Sequence, residues 1–292
     1  MIKLERDRSN VPERFSGGKL EELSLELLRS KRKLLNGEVD KISFNSGFWR
    51  TAKDQLLDET NDKCAYCETP TKVVAHGDVE HYRPKSTYWW LAYTTENYLA
   101  SCAICNQSFK SNHFPIMGSR WSYNKVRGNT SDIRLSELAK DLVPDPDDEV
   151  GVQHYLDAHD QEETVLLNPY IDDPADYFAW RADTLLKEVA LVPIPGSGIS
   201  KICVEGAETY FGLNRKRLKA LRYETFDSYL THKLTLMDAS ISPNTKKINE
   251  QKVKRMCSAN ASHSGVICFF ESVGQPEDWI RNRFLIVDGD PI

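Results

Sequence analysis

The chain has 292 residues, enough to bury a sizeable core and to form about one to three domains. Its 38 Lys and Arg residues stand against 43 Asp and Glu, a net charge of −5, which argues weakly against a free-standing nucleic-acid-binding module but allows a local basic groove. No apolar run is long enough to span a bilayer, and the charged N-terminus lacks the apolar region of a signal peptide, so we expect a cytoplasmic location.

The first elements predicted along the chain are two helices. Leucines recur at helical spacing from Leu20 to Leu34 and predict a helix over 19–36. A second helix is predicted over 46–58, where aromatic and leucine side chains fall on an inward face. Together these elements predict an N-terminal helical segment, residues 1–59.

Two Cys-x-x-Cys pairs dominate the next segment, residues 60–118, and they consist of Cys64, Cys67, Cys102 and Cys105. Where thiols stay reduced, such pairs indicate a metal before a disulfide. Four thiolates can close a tetrahedral structural zinc site. A plain zinc ribbon has about 15–20 residues between its pairs, whereas 34 residues separate Cys67 from Cys102. The zinc is therefore expected to fix the structure of the residues that lie inside this long loop.

The loop between the cysteine pairs carries short apolar runs that predict secondary structure. Val73–Val74 and Val79–Tyr82 predict two short strands, and residues 95–112 predict a loop that runs into a helix. On a strand Asp78 and Glu80 would share one face and His81 the other. A strand end or tight turn would still allow Glu80 and His81 to reach one site.

The remaining residues, 119–292, predict a mostly helical C-terminal domain for partner or nucleic-acid contact. Residues 141–163 contain no Lys or Arg and include two prolines, which indicates a linker or surface loop facing away from nucleic acid. A strand is predicted over 185–192, and the clearest late helix over 214–236.

The basic runs and the remaining cysteines of this C-terminal part are predicted to have structural roles and no direct function. The basic runs, around Arg215–Arg222 and Lys246–Arg255, are more typical of solvated faces than of a DNA groove. The unpaired cysteines are expected to be small buried apolar residues; they are Cys203, Cys257 and Cys268.

The order Cys-x-x-Cys, acid-His, Asn, Cys-x-x-Cys-Asn and Lys resembles the HNH endonuclease family, whose fold is the ββα-metal finger. The resemblance implies an α+β fold class in which a mainly helical chain surrounds a small zinc-clipped ββα-metal nuclease module at 60–118. It implies a divalent-metal-dependent enzyme that hydrolyses phosphodiester bonds, with Mg²⁺ or Mn²⁺ as the catalytic ion beside the structural zinc.

The resemblance also assigns roles to individual residues. His81 would be the general base, and Glu80 and Asn106 would hold the catalytic cation. Asn97 would brace the loop that orients the base, and Lys110 would contact a phosphate.

This chain departs from the family pattern at two places. Glu80 stands where Asp is commoner, and the step from Asn106 to Lys110 is one residue longer than usual. The longer step leaves open whether Asn112 or His113 shares the cation.

A wider set of motifs carries a closer resemblance. The stretches FWRTAKDQLL, VEHYRPK, LLNPYIDDP and FGLNRKRL together resemble the HNH subunit of Septu antiphage systems, and of retron systems that borrow it, over about residues 45–232. That resemblance implies DNA as the substrate and an ABC/SMC-like ATPase of the PtuA type as a partner. Two alternatives stay open: an RNase acting on tRNA or other RNA with the same active site, and a non-catalytic zinc module that binds nucleic acid or protein.

Overall fold

The computed structural model of the chain describes residues 1–72 and 77–287. Helices predominate, with two small sheets, so the expected α+β class is confirmed. The α-helices in these ranges are α1 (Gly17–Leu35), α2 (Ser46–Trp49), α3 (Lys53–Glu59), α4 (Asp132–Lys140), α5 (Glu149–Glu162), α6 (Gly198–Phe211), α7 (Lys216–Met237), α8 (Pro243–Met256), α9 (Ser264–Val273) and α10 (Pro276–Arg281). Within the described part of the chain, none of the helices combines the length and apolar character that crossing a bilayer requires.

The strands form two separate sheets, and a π-helix over Ile104–Lys110 follows the first of them. The strands are β1 (Asp78–His81), β2 (Tyr98–Ser101), β3 (Phe178–Asp183), β4 (Glu188–Pro193) and β5 (Leu285–Ile286). β1 and β2 pair antiparallel, with His81 opposite Tyr98. The second sheet has the order β4-β3-β5, in which β4 is antiparallel and β5 parallel to β3.

The N-terminal helices follow the sequence pattern with one interruption. The helix predicted over 19–36 is confirmed as α1. The helix predicted over 46–58 is wrong as a single element, because a 3₁₀ turn at Arg50–Ala52 separates α2 from α3. At this point the Thr51 hydroxyl donates to the Phe48 carbonyl over 2.7 Å, a local bond that competes with the regular helical pattern.

The strand pair is the element that carries the acid-His motif. Val79–Tyr82 was expected as a strand, and β1 confirms it within one residue. The prediction of a plain loop at the start of 95–112 is wrong, because β2 occupies Tyr98–Ser101. All four β2 side chains are buried, so the alternation that reveals a half-exposed strand is missing. The strand predicted at Val73–Val74 lies outside the described residues.

The acidic stretch 141–163 is not the predicted linker, since α5 occupies most of it. Asp148 caps the helix by accepting a hydrogen bond from the Val150 amide, and acidic residues are favourable near a helix N-terminus. At the other end Glu162 is fully buried, and its Oε2 lies 2.7 Å from Nε of Arg83, the residue that follows β1 by two positions. The stretch therefore packs against the strand pair.

The C-terminal part adds a sheet to the predicted helices. The helix predicted over 214–236 is confirmed as α7, and the strand predicted over 185–192 begins later, as β4. The cysteine prediction holds for Cys203, which is buried, but is wrong for Cys257 and Cys268, whose sulfur atoms are bonded to each other. The domain boundaries at 59/60 and 118/119 stay predictions.

Contacts from α6 hold the cysteine-rich segment in place. The rings of Tyr66 and Phe211 stack with centroids 3.9 Å apart. Gly212 ends α6 with a left-handed φ of 62°, and a Cβ there would lie 2.4 Å from the ring of Phe109 in the π-helix. Only glycine fits both the conformation and the space, so this residue lets the π-helix pack directly on the end of α6.

Candidate active site

The four paired cysteines come together at one end of the strand pair, as predicted. Their Sγ atoms all lie within 4.8 Å of one another, and those of Cys67 and Cys102 are 3.9 Å apart. With Zn–S bonds of about 2.3 Å, the edge of a tetrahedral site measures about 3.8 Å. The arrangement therefore fits a zinc ion, and in residues 1–72 and 77–287 no other His, Cys, Asp and Glu ligand atoms cluster in this way.

Nitrogen donors around the cluster suit bound thiolates. The Cys105 amide lies 3.4 Å from Cys102 Sγ, and the Arg215 guanidinium lies 3.6 Å from Cys105 Sγ. Such donors partly neutralise the negative charge that four thiolates bring to one metal. Because the protein supplies all four ligands, no position is left for a substrate, and the cluster is suited to a structural role.

The cluster fixes the ends of the elements that carry the expected catalytic residues. Cys102 directly follows β2, and Cys105 lies in the first turn of the π-helix. The first cysteine pair is tied to β2 by the Ala65 amide, which donates to the Ala100 carbonyl over 2.9 Å. A metal here would set the angle between β2 and the π-helix, and thereby the place of Asn106.

His81, the expected base, is buried with one ring nitrogen fixed. Its Nε2 lies 3.0 Å from the Ala92 carbonyl oxygen, which only accepts, so Nε2 carries the proton and Nδ1 keeps its lone pair. The imidazole packs edge-to-face against Trp49 and Tyr98, at 4.9 and 5.1 Å between centroids. Burial, reinforced by the Lys85 ammonium, lowers the pKa of His81 to about 3, so the ring is neutral at neutral pH.

Asn97, the expected brace, is fully buried and clamps the loop that leads away from His81. Its Oδ1 accepts from the Arg83 amide at 2.8 Å, and its Nδ2 donates to the Arg83 carbonyl at 3.0 Å. The Tyr155 hydroxyl of α5 donates to the same Oδ1 at 3.2 Å. The clamped loop includes Ala92, so these bonds support the carbonyl that holds the His81 tautomer.

Glu80 and Lys110 form a buried ion pair, which is not what the sequence led us to expect for Lys110. The Lys110 ammonium contacts the Glu80 carboxylate and also donates to the His81 carbonyl oxygen at 3.0 Å. Its side chain has no exposed surface, so Lys110 positions β1 in this structure and does not reach toward a phosphate. Burial raises the pKa of Glu80, and the Lys110 ammonium offsets part of that effect.

Asn106 lies at the start of the π-helix with its amide group oriented by an acid. Its Nδ2 donates to Asp78 Oδ2 at 3.2 Å, and Gln107 Nε2 donates to the same oxygen at 2.8 Å. This leaves Asn106 Oδ1 as a ligand atom. Asp78 was not assigned a role from the sequence; its shared strand face with Glu80 is the signal that pointed to it.

A cavity of about 300 Å³ joins these residues at the surface. It is lined by Val79, Glu80, His81, Pro84, Lys85, Asn106, Gln107, Ser111 and Asn112. The carboxylate of Glu80 and the amide oxygen of Asn106 are hard donors that fit a divalent cation such as Mg²⁺. Asn112 lines the cavity, whereas His113 does not and instead packs against Tyr210, with ring centroids 5.4 Å apart.

Lys85 is the cation at this cavity that sequence reasoning missed. It lines the cavity with its ammonium 5.3 Å from the Trp49 ring centroid. It follows His81 by four residues and comes directly after Pro84. A lysine directly after a proline, close behind the acid-His pair, was the available signal.

Comparison with known proteins gives one partial similarity. The chain is 27% identical over 194 residues to the Septu protein PtuB of Bacillus mycoides (strain KBAB4), and the match covers 62% of this chain. It spans 55% of the length of that relative. No family model matches the chain, and no solved structure matches it. The chain is thus similar in part to a Septu protein.

Proposed function

We propose that the chain is a divalent-metal-dependent endonuclease of the HNH type that cuts DNA. One observation carries this proposal: a neutral His81 is locked by the Ala92 carbonyl beside Glu80 and Asn106, all at one surface cavity. A module that only binds nucleic acid or protein has no need for an oriented imidazole beside two oxygen ligands. The β1-β2-helix order around the cysteine cluster supports the same proposal.

Each side chain has a defined task in the proposed hydrolysis. His81 Nδ1 takes the proton of the attacking water, since Nε2 is already committed to Ala92. Glu80 and Asn106 would hold the divalent cation, which supplies charge neutralisation at the phosphate and at the leaving oxygen. The Lys85 ammonium pairs with a phosphate oxygen of the substrate, the task first expected of Lys110. Asn97 keeps the base in its tautomer through the clamped loop.

The similarity to a Septu protein supports a place in antiphage defence. Under this proposal the chain is the nuclease component and an ABC/SMC-like ATPase supplies the recognition of the target. The net charge of −5 accords with such a division of labour, because targeting does not then depend on the nuclease's own surface charge.

The proposal is tested by cleavage of supercoiled plasmid and of total RNA, each with Mg²⁺ or Mn²⁺ and each with and without the copurified ATPase. We expect plasmid nicking that requires the added cation. RNA cleavage with intact plasmid would replace DNA by RNA as the substrate. Absence of cleavage of both polymers under all these conditions would refute a nuclease function.

Substitution of Asn106 tests the cation ligand. Asn106→Ala is expected to lower the nicking rate by about tenfold to a hundredfold and to raise the Mg²⁺ concentration needed for half-maximal rate, because one oxygen ligand is lost. Asn106→Asp should keep a ligand oxygen and recover part of the rate. Asn260→Ala, an exposed asparagine in the turn after α8, is the matched control; equal loss in both alanine variants would contradict the assignment.

Substitution of Lys85 tests the phosphate contact. Lys85→Ala is expected to weaken DNA binding and to reduce the salt dependence of log K by about one unit of slope, the effect of one lost phosphate contact. The measurement is fluorescence anisotropy of a labelled duplex over a salt series. Lys41→Ala, an exposed lysine outside the cavity, should leave the slope unchanged. An unchanged slope in Lys85→Ala would remove this residue from the site.

A further inference from the structure

The disulfide between Cys257 and Cys268 closes a short loop in the C-terminal part of the chain. Cys257 directly follows α8, and Cys268 lies within α9. Their Cα atoms are 5.1 Å apart, a separation that a disulfide can bridge, and the other five cysteines of the chain are free. Neither the candidate active site nor the metal-binding cluster includes this bond, so any role it has lies in the loop that it closes.

The closed loop holds the residue that precedes the first metal-binding cysteine. Lys63 comes directly before Cys64 and is buried. Its ammonium donates to the backbone carbonyl oxygens of Ala259 and of Ala261, the latter at 2.8 Å, and both acceptors lie inside the loop. Among the residues that the structure describes, the Lys63 ammonium has no further acceptor. Because a buried ammonium without acceptors is costly, Lys63 favours the closed form of the loop.

The same loop holds the residue that follows the first cysteine pair. Glu68 comes directly after Cys67 and is buried. Its Oε1 accepts from the Ser264 hydroxyl at 3.0 Å and from the Gly265 amide at 3.2 Å. The approach is close, since a Cβ at Gly265 would lie 2.9 Å from Glu68 Oε2. The loop therefore contacts both ends of the stretch that carries the first cysteine pair, residues 63–69, here called the first-pair segment.

The disulfide borders on a cavity of about 380 Å³. Cys268 lines this cavity together with Gly265 and Phe269, and both cysteines of the bond are partly exposed. The cavity gives a small thiol compound a path to Cys268. In addition, Cys268 Sγ lies 3.0 Å from the Cys257 carbonyl oxygen, so a reduced Cys268 thiol has an acceptor for its proton. That hydrogen bond would keep the two sulfur atoms near each other, which favours reformation of the bond.

We propose that Cys257 and Cys268 form a thiol–disulfide exchange site for low-molecular-weight thiols, and that its redox state sets how firmly the first-pair segment is held. The thiolate of the small compound attacks Cys268 Sγ, and Cys257 leaves as a thiolate that takes up a proton. A second small thiol attacks the mixed disulfide and releases Cys268 as a thiol. Two small thiols are thereby oxidised to one small disulfide while the protein bond is reduced, and a small disulfide reverses both steps. The site does not depend on the proposed nuclease function.

Reduction acts on the first-pair segment through the loop. The disulfide joins the end of α8 to α9, and without it the residues between the two helices gain conformational freedom. These residues include Ala259 and Ala261, the acceptors of the Lys63 ammonium. The first-pair segment should therefore open more often in the reduced protein, and a zinc ion held by its two cysteines should be released faster.

Amide hydrogen exchange of the first-pair segment tests the proposal on the full chain, after equilibration at a series of ratios of reduced to oxidised glutathione. Mass spectrometry of the alkylated protein identifies the state of Cys257 and Cys268 at each ratio. Reduction is expected to speed the exchange, and the release of zinc to a chromogenic chelator, by about three- to tenfold, and to lower the midpoint of thermal unfolding by about 5–10 °C. The exchange measurement needs no bound metal, so it decides the proposal independently of the zinc site.

Two variants separate the disulfide from the contact that it supports. The double variant Cys257→Ser and Cys268→Ser should behave like the reduced wild type at every glutathione ratio. Lys63→Met keeps the disulfide but removes the contact with the loop, and it should exchange rapidly in both redox states. The matched controls are Cys203→Ala, a buried free cysteine, and Lys72→Met, an exposed lysine; both should keep the redox response of the wild type. The proposal is overturned if the cysteine pair keeps one state at all glutathione ratios, or if the first-pair segment exchanges equally fast in both states.

Discussion

His81→Ala is expected to reduce plasmid nicking by about 100- to 10,000-fold, the usual contribution of a general base. The reason is the tautomer: Nε2 donates to the Ala92 carbonyl, so Nδ1 keeps the lone pair that can take a proton. Among the residues that the structure describes, no other histidine lines this cavity. The measurement is the initial rate of conversion from supercoiled to open-circular DNA at saturating Mg²⁺.

The control for this variant must separate chemistry from packing. His81 packs against Trp49 and Tyr98, so circular dichroism and the midpoint of thermal unfolding are measured on each variant. His81→Gln, which can keep a donor for Ala92, should remain folded and inactive. His113→Ala, exposed and outside the cavity, should nick at the wild-type rate. Nicking by a folded His81→Ala protein at that same rate would exclude His81 as the base.

Loss of a cysteine ligand is expected to unfold the segment around the strand pair. Structural zinc sites contribute about 10–16 kcal/mol at neutral pH, as much as the whole stability of a typical domain, about 5–15 kcal/mol. Cys105→Ser should therefore lose its zinc and the thermal transition of the wild type. Metal content by mass spectrometry and thermal unfolding together measure this. Cys203→Ala, a buried free cysteine outside the cluster, should keep one zinc per chain and unfold cooperatively.

The two proposed metals can be distinguished by whether nicking activity recovers after each is removed and Mg²⁺ is added back. Brief chelation that removes only the weakly held Mg²⁺ should stop nicking, and added Mg²⁺ should restore it at once. Prolonged removal of zinc should stop nicking in a way that Mg²⁺ does not restore, because the fold itself is lost. If Mg²⁺ rescued a zinc-free protein, the cysteine cluster would not be the structural site.

The sequence revealed the parts of the site whose signal is local. The ligand type and the spacing of the four cysteines can be read directly from the sequence. The structure confirms that their sulfur atoms lie close together. The helices α1 and α7 follow from their apolar positions. The bond from His81 to Ala92 was not predictable in the same way, because its acceptor is a backbone carbonyl eleven residues away, and any residue type offers one.

The position of Lys110 differs from what the family resemblance implied. The resemblance assigned Lys110 to a phosphate contact, one helical turn past Asn106, whereas its side chain is buried against Glu80. The structure has a π-helix here, with the Ser111 amide donating to the Asn106 carbonyl at 2.7 Å, five residues back. A π-turn absorbs one extra residue, which accounts for the longer step in the sequence. Lys110 is thereby directed inward, onto Glu80.

The acidic stretch misled for a different reason. Its composition was read as a whole, and net charge indeed predicts solvent exposure for most of its residues. Some of its residues have partners elsewhere in the chain. Glu162 pairs with Arg83 and Tyr155 donates to Asn97, and these contacts are visible only when the chain is folded. The average charge of a segment does not show which of its individual residues are buried, and those residues decide where the segment packs.

The π-helix packs closely against the end of α6, and this contact limits how the metal-binding segment could be transferred to another protein. Phe109 rests on Gly212, and Arg215 reaches the sulfur of Cys105, so residues a hundred positions downstream complete the environment of the metal-binding segment. One continuous hydrophobic core connects both regions. The segment 60–118 is therefore not a cassette that can be moved into an unrelated protein; transplanting the activity would require taking α6 and the start of α7 along with it.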